Sequence, residues 1–493
     1  MAIYLLLLVS IAFIFIKQFL FGPRQRLPPG PNALHALTYL SHLIHKPHIA
    51  LQKLSQIYGP LISFKLGDQL LVVASSPNAA KELLRIHDRV FSGRLLSTIY
   101  HNLPGTMHSS ILLSHECDKS WKTLRSIAQN CVFSTKAIET NALIRKKKVM
   151  EMVEYLRIKQ GEVVNVEEMM FAALSNIISS VLTSRNLFDI GREGGNDCRA
   201  MMEVMSVVIE KAITFGLVDY LPILKGVDFW SKEKAMDIHR MISLIWGDII
   251  HGRRSARCGG HDGSSGRDFL DVVVDDATFS DDQIGNVLME ILIGATDSTT
   301  ITTVWMVVEL MRNQEMLSRV RQEIAQTVEG DELSESLLSK CHYFQACIKE
   351  TLRLHVPAPL LVPHRAIESC KLSNYVIPKD SMVLVNAWAI ARDPMYWEDE
   401  TSFKPERFLD SNIGYRGTNY EYLPFGTGLR MCPGSTVAFK NIQMLVGSLL
   451  HYFDWSLPNG EDLTKMDMSE KYVTTLKKEK PLLLISRSRV LIR

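Results

Sequence analysis

The chain opens with a nearly unbroken apolar run: Ile3 to Ile16 is interrupted only by Ser10, and after Lys17-Gln18 the pattern resumes with Phe19-Leu20-Phe21. Such a run, about 19 residues at the helical rise, spans roughly 28 Å, close to the hydrocarbon core of a bilayer. Lys17 can snorkel to the interface, and Arg24 and Arg26 follow at once. Positive charge on that flank predicts an N-terminal membrane anchor over residues 1–22, with the rest of the chain cytoplasmic. A cleaved signal peptide is the competing reading, but its positive segment would precede the apolar run. Leu27-Pro28-Pro29-Gly30-Pro31 cannot continue a helix, so residues 23–35 read as a stiff linker and 36–493 as the body.

Within the body, the stretch Ile62 to Ala74 holds two strand-like runs around Gly67-Asp68, which predicts a hairpin. From Pro77 onward helical periodicity dominates, and the Gly/Ser-rich residues 259–266 read as a surface loop between helices or, less simply, an interdomain linker. Ser280 is placed to cap a helix that runs to about Asn313, with Asp281 and Asp282 in its first turn. No heptad is sustained there, and Glu290, Asp297 and Glu309 argue against lipid, so the segment reads as a buried central helix. A further helix covers Lys340 to His355 and stops at Val356-Pro357-Ala358-Pro359. Strand-like pieces follow at Lys371 to Ile377 and Met382 to Asn386, and the last apolar helix covers Ser435 to Phe453. The expected fold class is mainly α with small β-sheets.

Composition narrows the function. Hydrophobic residues make up 46% and charged residues 22%, which is globular, and a net charge of +2 excludes a globally basic nucleic-acid binder. Eight cysteines without a C-x-x-C pair speak against a disulfide scaffold or a zinc ribbon. Arg145-Lys146-Lys147-Lys148 reads as a solvated helix face, with docking of an acidic partner as the alternative.

The most informative chemistry lies in Pro424-Phe425-Gly426-Thr427-Gly428-Leu429-Arg430-Met431-Cys432-Pro433-Gly434. Glycines let backbone approach a flat ligand, and a cysteine beside a helix N-terminus has its thiolate favoured by the amide donors, so Cys432 is placed to ligate a metal. Phe425, Gly428, Arg430, Cys432 and Gly434 match the fixed positions of the haem-thiolate loop of cytochromes P450. The chain also resembles that family at Glu350-Thr351-Leu352-Arg353, Pro405-Glu406-Arg407-Phe408, Trp121 with Arg125, and Pro28-Pro29-Gly30-Pro31. Glu350 and Arg353 share a helical face, and Arg407 is positioned to join them in a buried ionic group.

The resemblance implies the cytochrome P450 fold, haem b ligated by Cys432, and Trp121, Arg125, His364 and Arg430 on its two propionates. Gly294-Ala295-Thr296-Asp297-Ser298-Thr299-Thr300 resembles the family's oxygen-activation segment, with Asp297 and Ser298 delivering protons. Back-bonding hydroxyls there are expected to open the helix locally. The family more often has Gly at Ala295 and Thr at Ser298, and a serine lacks the methyl that stiffens χ1. Dioxygen, a small-molecule substrate and NADPH-cytochrome P450 reductase are the implied partners, since the chain shows no flavin or nicotinamide fingerprint. The implied location is the endoplasmic reticulum membrane.

Within plant microsomal P450s, His87-Asp88-Arg89, Glu151 to Leu156 and Ala387 to Pro394 are similar to the alkaloid group containing N-methylcoclaurine hydroxylase, berbamunine synthase and littorine mutase. A geraniol-type terpenoid hydroxylase, a reductase-independent isomerase or dehydratase, and a non-catalytic haem-binding protein are the alternatives. Substrate contacts are expected from His101 to Ser114, Met201 to Phe215 and the turn before His364.

Overall fold

The computed structural model describes residues 26–489 apart from 33, 34, 36, 37, 40–42, 44, 107, 108, 191–194, 214, 221–227, 229, 259–266, 329–332 and 461. The expected anchor at 1–22 and the Gly/Ser-rich loop at 259–266 lie outside the described residues. The helices that position the site are α1 (Pro47–Tyr58), α2 (Lys119–Ala128), α3 (Ala142–Ile158), α4 (Val166–Thr183), α5 (Gly195–Ile213), α6 (Trp230–Cys258), α7 (Asp281–Arg312), α8 (His342–Leu354) and α9 (Ser435–Tyr452).

Helix α7 begins where the sequence predicts. The Ser280 hydroxyl accepts from the Gln283 amide, and the Gln283 side chain accepts from the Ser280 amide at 2.9 Å, a reciprocal capping box. From Thr299 to Met311 every residue is buried, and the helix as a whole packs against α4, α6, α8 and α9. Helix α4 is buried on all faces beyond its first turn, after Asn165 caps Glu167 and Glu168. Both α4 and α7 are long and apolar enough to cross a bilayer, but their burial inside the protein marks them as core.

A four-stranded sheet flanks this helical core. Strands β1 (Leu61–Leu66) and β2 (Gln69–Ala74) form the predicted hairpin, turning through Gly67 at φ +61°. Downstream come β3 (Val163–Asn165), β4 (His364–Arg365), β5 (Cys370–Leu372), β6 (Tyr375–Ile377) and β7 (Met382–Val385). Strand β7 runs parallel to β2 and antiparallel to β4, which places His364 opposite Val383. The piece predicted at 371–377 is a second hairpin, β5 with β6.

The C-terminal strands are β8 (Phe453–Ser456), β9 (Glu470–Tyr472), β10 (Leu476–Lys478) and β11 (Leu483–Ser488), of which β9 and β10 carry too many charges in three residues each to be read from alternation. They form a β3-β11-β8 sheet and a β9-β10 hairpin.

Two expectations change. The described part of the proline segment is strapped to the body: the Ser63 amide and hydroxyl donate to the Pro29 and Pro28 carbonyls at 2.9 and 2.7 Å. A Cβ on Gly30 would strike the Ser63 carbonyl, so glycine is what allows this approach. The basic run on α3 is not a uniformly solvated face. Arg145 is buried and pairs with Glu335 at 2.6 Å, and buried Lys148 pairs with Glu151 at 2.8 Å, whereas Lys147 is exposed.

Candidate active site

The cysteine loop is folded by two left-handed glycines, Gly426 at φ +65° and Gly428 at φ +76°. They let the Cys432 amide return to the Phe425 carbonyl at 3.0 Å and Met431 to that of Gly428 at 3.1 Å. A Cβ at Gly428 would collide with the Leu84 carbonyl and the Asp88 carboxyl group. Asp88 in turn accepts from the Leu429 amide at 2.9 Å, fastening the loop to a segment more than 300 residues earlier. The Cys432 side chain is solvent-accessible although protein surrounds it, and the Phe133 ring and Gly434 border it. Burial pushes the thiol up, and the Gly434 amide and Arg125 oppose that only in part. The Gly434 amide at the helix terminus favours the thiolate, in the sense expected, but burial outweighs it; ligation of a metal would supply the missing stabilisation.

Three of the four expected propionate partners converge beside this loop. Arg125 donates to the Met431 carbonyl at 2.7 Å. Arg430 donates to the Ser92, Ile111 and Ser114 carbonyls at 2.8, 3.2 and 2.5 Å. Trp121 lies between them, its ring centroid 5.8 Å from the Arg125 guanidinium and 5.1 Å from that of Arg430, and its Nε1 donates to Ile111 at 2.9 Å. His364 is buried and bonds the Phe91 carbonyl through Nδ1 at 2.7 Å. Burial, then the charges of Arg94 and Arg430, hold it well below the ordinary histidine range, so it is neutral in the protein by itself. A carboxylate beside it would reverse that.

Arg94 was not foreseen. Its buried guanidinium donates to the Leu112, Val362 and Pro363 carbonyls at 3.0, 2.7 and 3.1 Å. Among the described ion pairs none involves Arg94, Arg125 or Arg430. A cluster of largely buried cations satisfied by carbonyls carries surplus positive charge, which is the complement of a planar group bearing two carboxylates. With an accessible sulfur beside it, the donor set fits haem.

Glu290 was read from the sequence only as a mark against lipid. Its carboxylate accepts from the Leu112 amide at 2.5 Å and clasps residues 110–112, the segment whose carbonyls hold Trp121, Arg94 and Arg430. Burial pushes it up to about 7, against the lowering effect of the Ser110 hydroxyl, the Leu112 and Ile111 amides and Arg430. Its signal was present in the spacing: four residues before Gly294 and seven before Asp297, it lies along the same stripe of α7.

The oxygen-activation segment departs from expectation in two ways. Ser298 bonds back to the Gly294 carbonyl at 3.1 Å and Thr296 to Leu292 at 2.8 Å, yet α7 stays α-helical throughout. Space comes instead from Gly294, where an added Cβ would meet nothing within 4 Å. Asp297 and Ser298 are adjacent in sequence but about 100° apart around the helix. The Asp297 carboxyl group borders a cavity with Glu167 and Lys477, and so do Met202 and Met205, which were expected among the substrate contacts.

Glu350 and Arg353 are both fully buried and meet twice, at 2.7 and 2.8 Å, with Arg407 joining at 3.3 Å, as their spacing predicts.

The family model for cytochrome P450 matches residues 28–485. The chain is 38% identical to a probable (S)-N-methylcoclaurine 3'-hydroxylase isozyme 2 of Coptis japonica, over 98% of each protein. It is 33% identical to corytuberine synthase of Coptis japonica over 99% of each, and 32% identical to geraniol 8-hydroxylase of Catharanthus roseus over 98% of each. A zebra fish cytochrome P450 solved with progesterone superimposes with a TM-score of 0.75 at 22% identity, covering 90% of this chain and 99% of that one. Fold, cysteine loop and end-to-end similarity agree, and the chain belongs to the cytochrome P450 family of haem-thiolate monooxygenases.

Proposed function

We propose that this protein is a membrane-anchored monooxygenase of plant specialised metabolism that oxidises a small alkaloid. Haem b would sit on Cys432, its propionates toward Trp121, Arg125, Arg430 and His364. The observation that carries the assignment is the solvent-accessible Cys432 beside buried Arg94 and half-buried Arg125 and Arg430, whose hydrogen bonds all go to carbonyls. When bound, haem supplies the redox chemistry of dioxygen, with an anionic sulfur favouring O–O cleavage. The chain's own residues orient the cofactor, exclude water and move protons: Ser298 toward the open space at Gly294, and Asp297 as the acid behind it. Electrons would come from NADPH-cytochrome P450 reductase. Residues 1–22 would tether the body to the endoplasmic reticulum membrane through 23–35, whose Pro28-Pro29 part is strapped to the body.

The alkaloid reading rests on the 38% identity to the N-methylcoclaurine hydroxylase and the 33% identity to corytuberine synthase. A terpenoid hydroxylase is the second reading, favoured by the similarity to geraniol 8-hydroxylase. The test is product mass analysis in microsomes with a plant reductase, NADPH, N-methylcoclaurine, littorine and geraniol. Gain of one oxygen on an alkaloid supports hydroxylation, and loss of two hydrogens supports coupling or rearrangement. Turnover of geraniol alone moves the assignment to terpenoids. Product formed without NADPH would instead make the protein an isomerase or dehydratase.

A further inference from the structure

Helix α7 clasps the segment 104–112 along one stripe. Asn286 donates to the Pro104 carbonyl at 2.8 Å, Glu290 accepts from the Leu112 amide at 2.5 Å, and a Cβ on Gly105 would strike Asp282. Asp282, Asn286 and Glu290 are each four residues apart, and Gly294 is the next position on that stripe. Glu290 thus ends the clasp, about 6 Å along the helix axis from the open space at Gly294.

Protein surrounds Glu290, yet the residue is only half-buried, so its accessible surface faces an internal space. Its hydrogen-bond donors are neutral: the Ser110 hydroxyl and the Leu112 and Ile111 amides. Among the described ion pairs none involves it. Arg125 and Arg430 lie within electrostatic reach, but their guanidinium groups donate to carbonyls, and their charge complements the two carboxylates of haem. The Glu290 anion is left without a cation, and an interior carboxylate is costly until one pairs with it. Among the described residues no three acidic, histidine or cysteine side chains gather to hold a metal ion. A protonated amine needs only one carboxylate oxygen.

We propose that Glu290 anchors the ammonium group of a protonated secondary or tertiary amine substrate, and so selects amines over neutral terpenoids. The inference rests on the alkaloid reading of the function. One carboxylate oxygen keeps the Leu112 amide, and the other receives the N–H of the substrate. The nitrogen is then held a helical turn from Gly294, so a carbon remote from nitrogen faces that space.

The groups facing Glu290 are Arg430 from the cysteine loop, Arg125 from α2 and the buried Tyr100 in residues 98–102. Burial pushes Glu290 up to about 7, against the Ser110 hydroxyl, the Leu112 and Ile111 amides and Arg430. A bound cation favours the anion, and acidification through that value removes the charge and weakens cation binding.

Equilibrium titrations of the haem-loaded full chain, followed by the ligand-induced change in its absorption spectrum, test this. The probes are N-methylcoclaurine, its quaternary N-methyl derivative, littorine, geraniol and the neutral N-formylcoclaurine. Glu290→Gln keeps an oxygen for the Leu112 amide and removes the charge. It should weaken binding of the amines that wild type binds by about tenfold or more, change affinity for N-formylcoclaurine by less than about twofold, and keep a thiolate-type spectrum with carbon monoxide. In wild type, affinity for the quaternary derivative, whose charge is fixed, should fall several-fold as pH drops through about 7, while that for N-formylcoclaurine stays level. This second arm decides even where the variant does not load haem. If amines bind wild type and Glu290→Gln alike, or the quaternary and neutral probes follow one pH course, the anchor is overturned and the alkaloid reading stands. If geraniol binds wild type and no amine does, the alkaloid reading is overturned and the anchor with it.

Discussion

Arg430 and Trp121 donate to the same oxygen. The Ile111 carbonyl accepts from Arg430 Nη1 at 3.2 Å and Trp121 Nε1 at 2.9 Å, while the guanidinium lies 5.1 Å from the indole centroid. One peptide unit thus fixes both the planar fork and the ring beside the cysteine loop. Glu290 clasps that peptide's neighbour, Leu112.

Arg430→Lys should therefore weaken haem retention by about tenfold or more, although charge is conserved. A lysine cannot reproduce a fork spread over the Ser92, Ile111 and Ser114 carbonyls, and hydrogen bonds from charged groups are each worth about 1.5–3 kcal/mol. The ratio of haem to protein absorbance after dilution and gel filtration measures it.

Glu350→Ala should cost about 3–5 kcal/mol, because Arg353 would remain fully buried without its carboxylate. Arg407→Gln should cost less, since its contact is longer, at 3.3 Å. Apparent thermal midpoints of the two variants, compared at equal haem loading, check the order.

Gly428→Ala should abolish the thiolate-type spectrum of the reduced, CO-bound protein while leaving far-ultraviolet circular dichroism largely intact. Its φ of +76° and the Leu84 carbonyl against its Cα leave no room for a methyl group. Retention of a normal spectrum would show that the loop tolerates another path to Cys432.

His355 predicts a pH dependence. It is buried, stacks on Trp305 at 4.0 Å, and sits between Glu309 at 2.8 Å and Glu470 at 3.2 Å. Burial alone would lower its pKa, but the hydrogen bonds and charges of the two carboxylates outweigh burial and raise it above 6.5. A histidine raised in the folded state stabilises fully below its unfolded value and loses that contribution as pH rises through the folded value. The difference in thermal midpoint between wild type and His355→Gln should be largest below the ordinary histidine pKa of about 6.5 and shrink as the pH rises above it.

Much of the site is legible because its parts are local. Glu350 and Arg353 need only three residues of helix to meet, Ser280 and Gln283 cap each other within one turn, and the glycines around Cys432 announce a backbone that other residues cannot follow. Spacing encodes these, since covalent geometry and near-neighbour hydrogen bonds decide them. The weak alternation of β9 and β10 hid the strand that carries Lys477, and the back-bonding hydroxyls of α7 suggested an opening that the packed helix does not show.

By itself, then, the sequence determined the helical class, the candidate cysteine ligand, the capped central helix, the ionic pair on α8 and the candidate proton-delivering side chains. Tertiary structure decided which distant groups share a buried space: Arg145 with Glu335, Arg94 with the carbonyls before His364, Glu290 with the Leu112 amide, and Asp297 with Lys477. The reason is desolvation. A charge far along the chain has no predictable partner until packing removes water from both, and only then do burial and neighbouring dipoles decide which groups must pair and which way each is pushed.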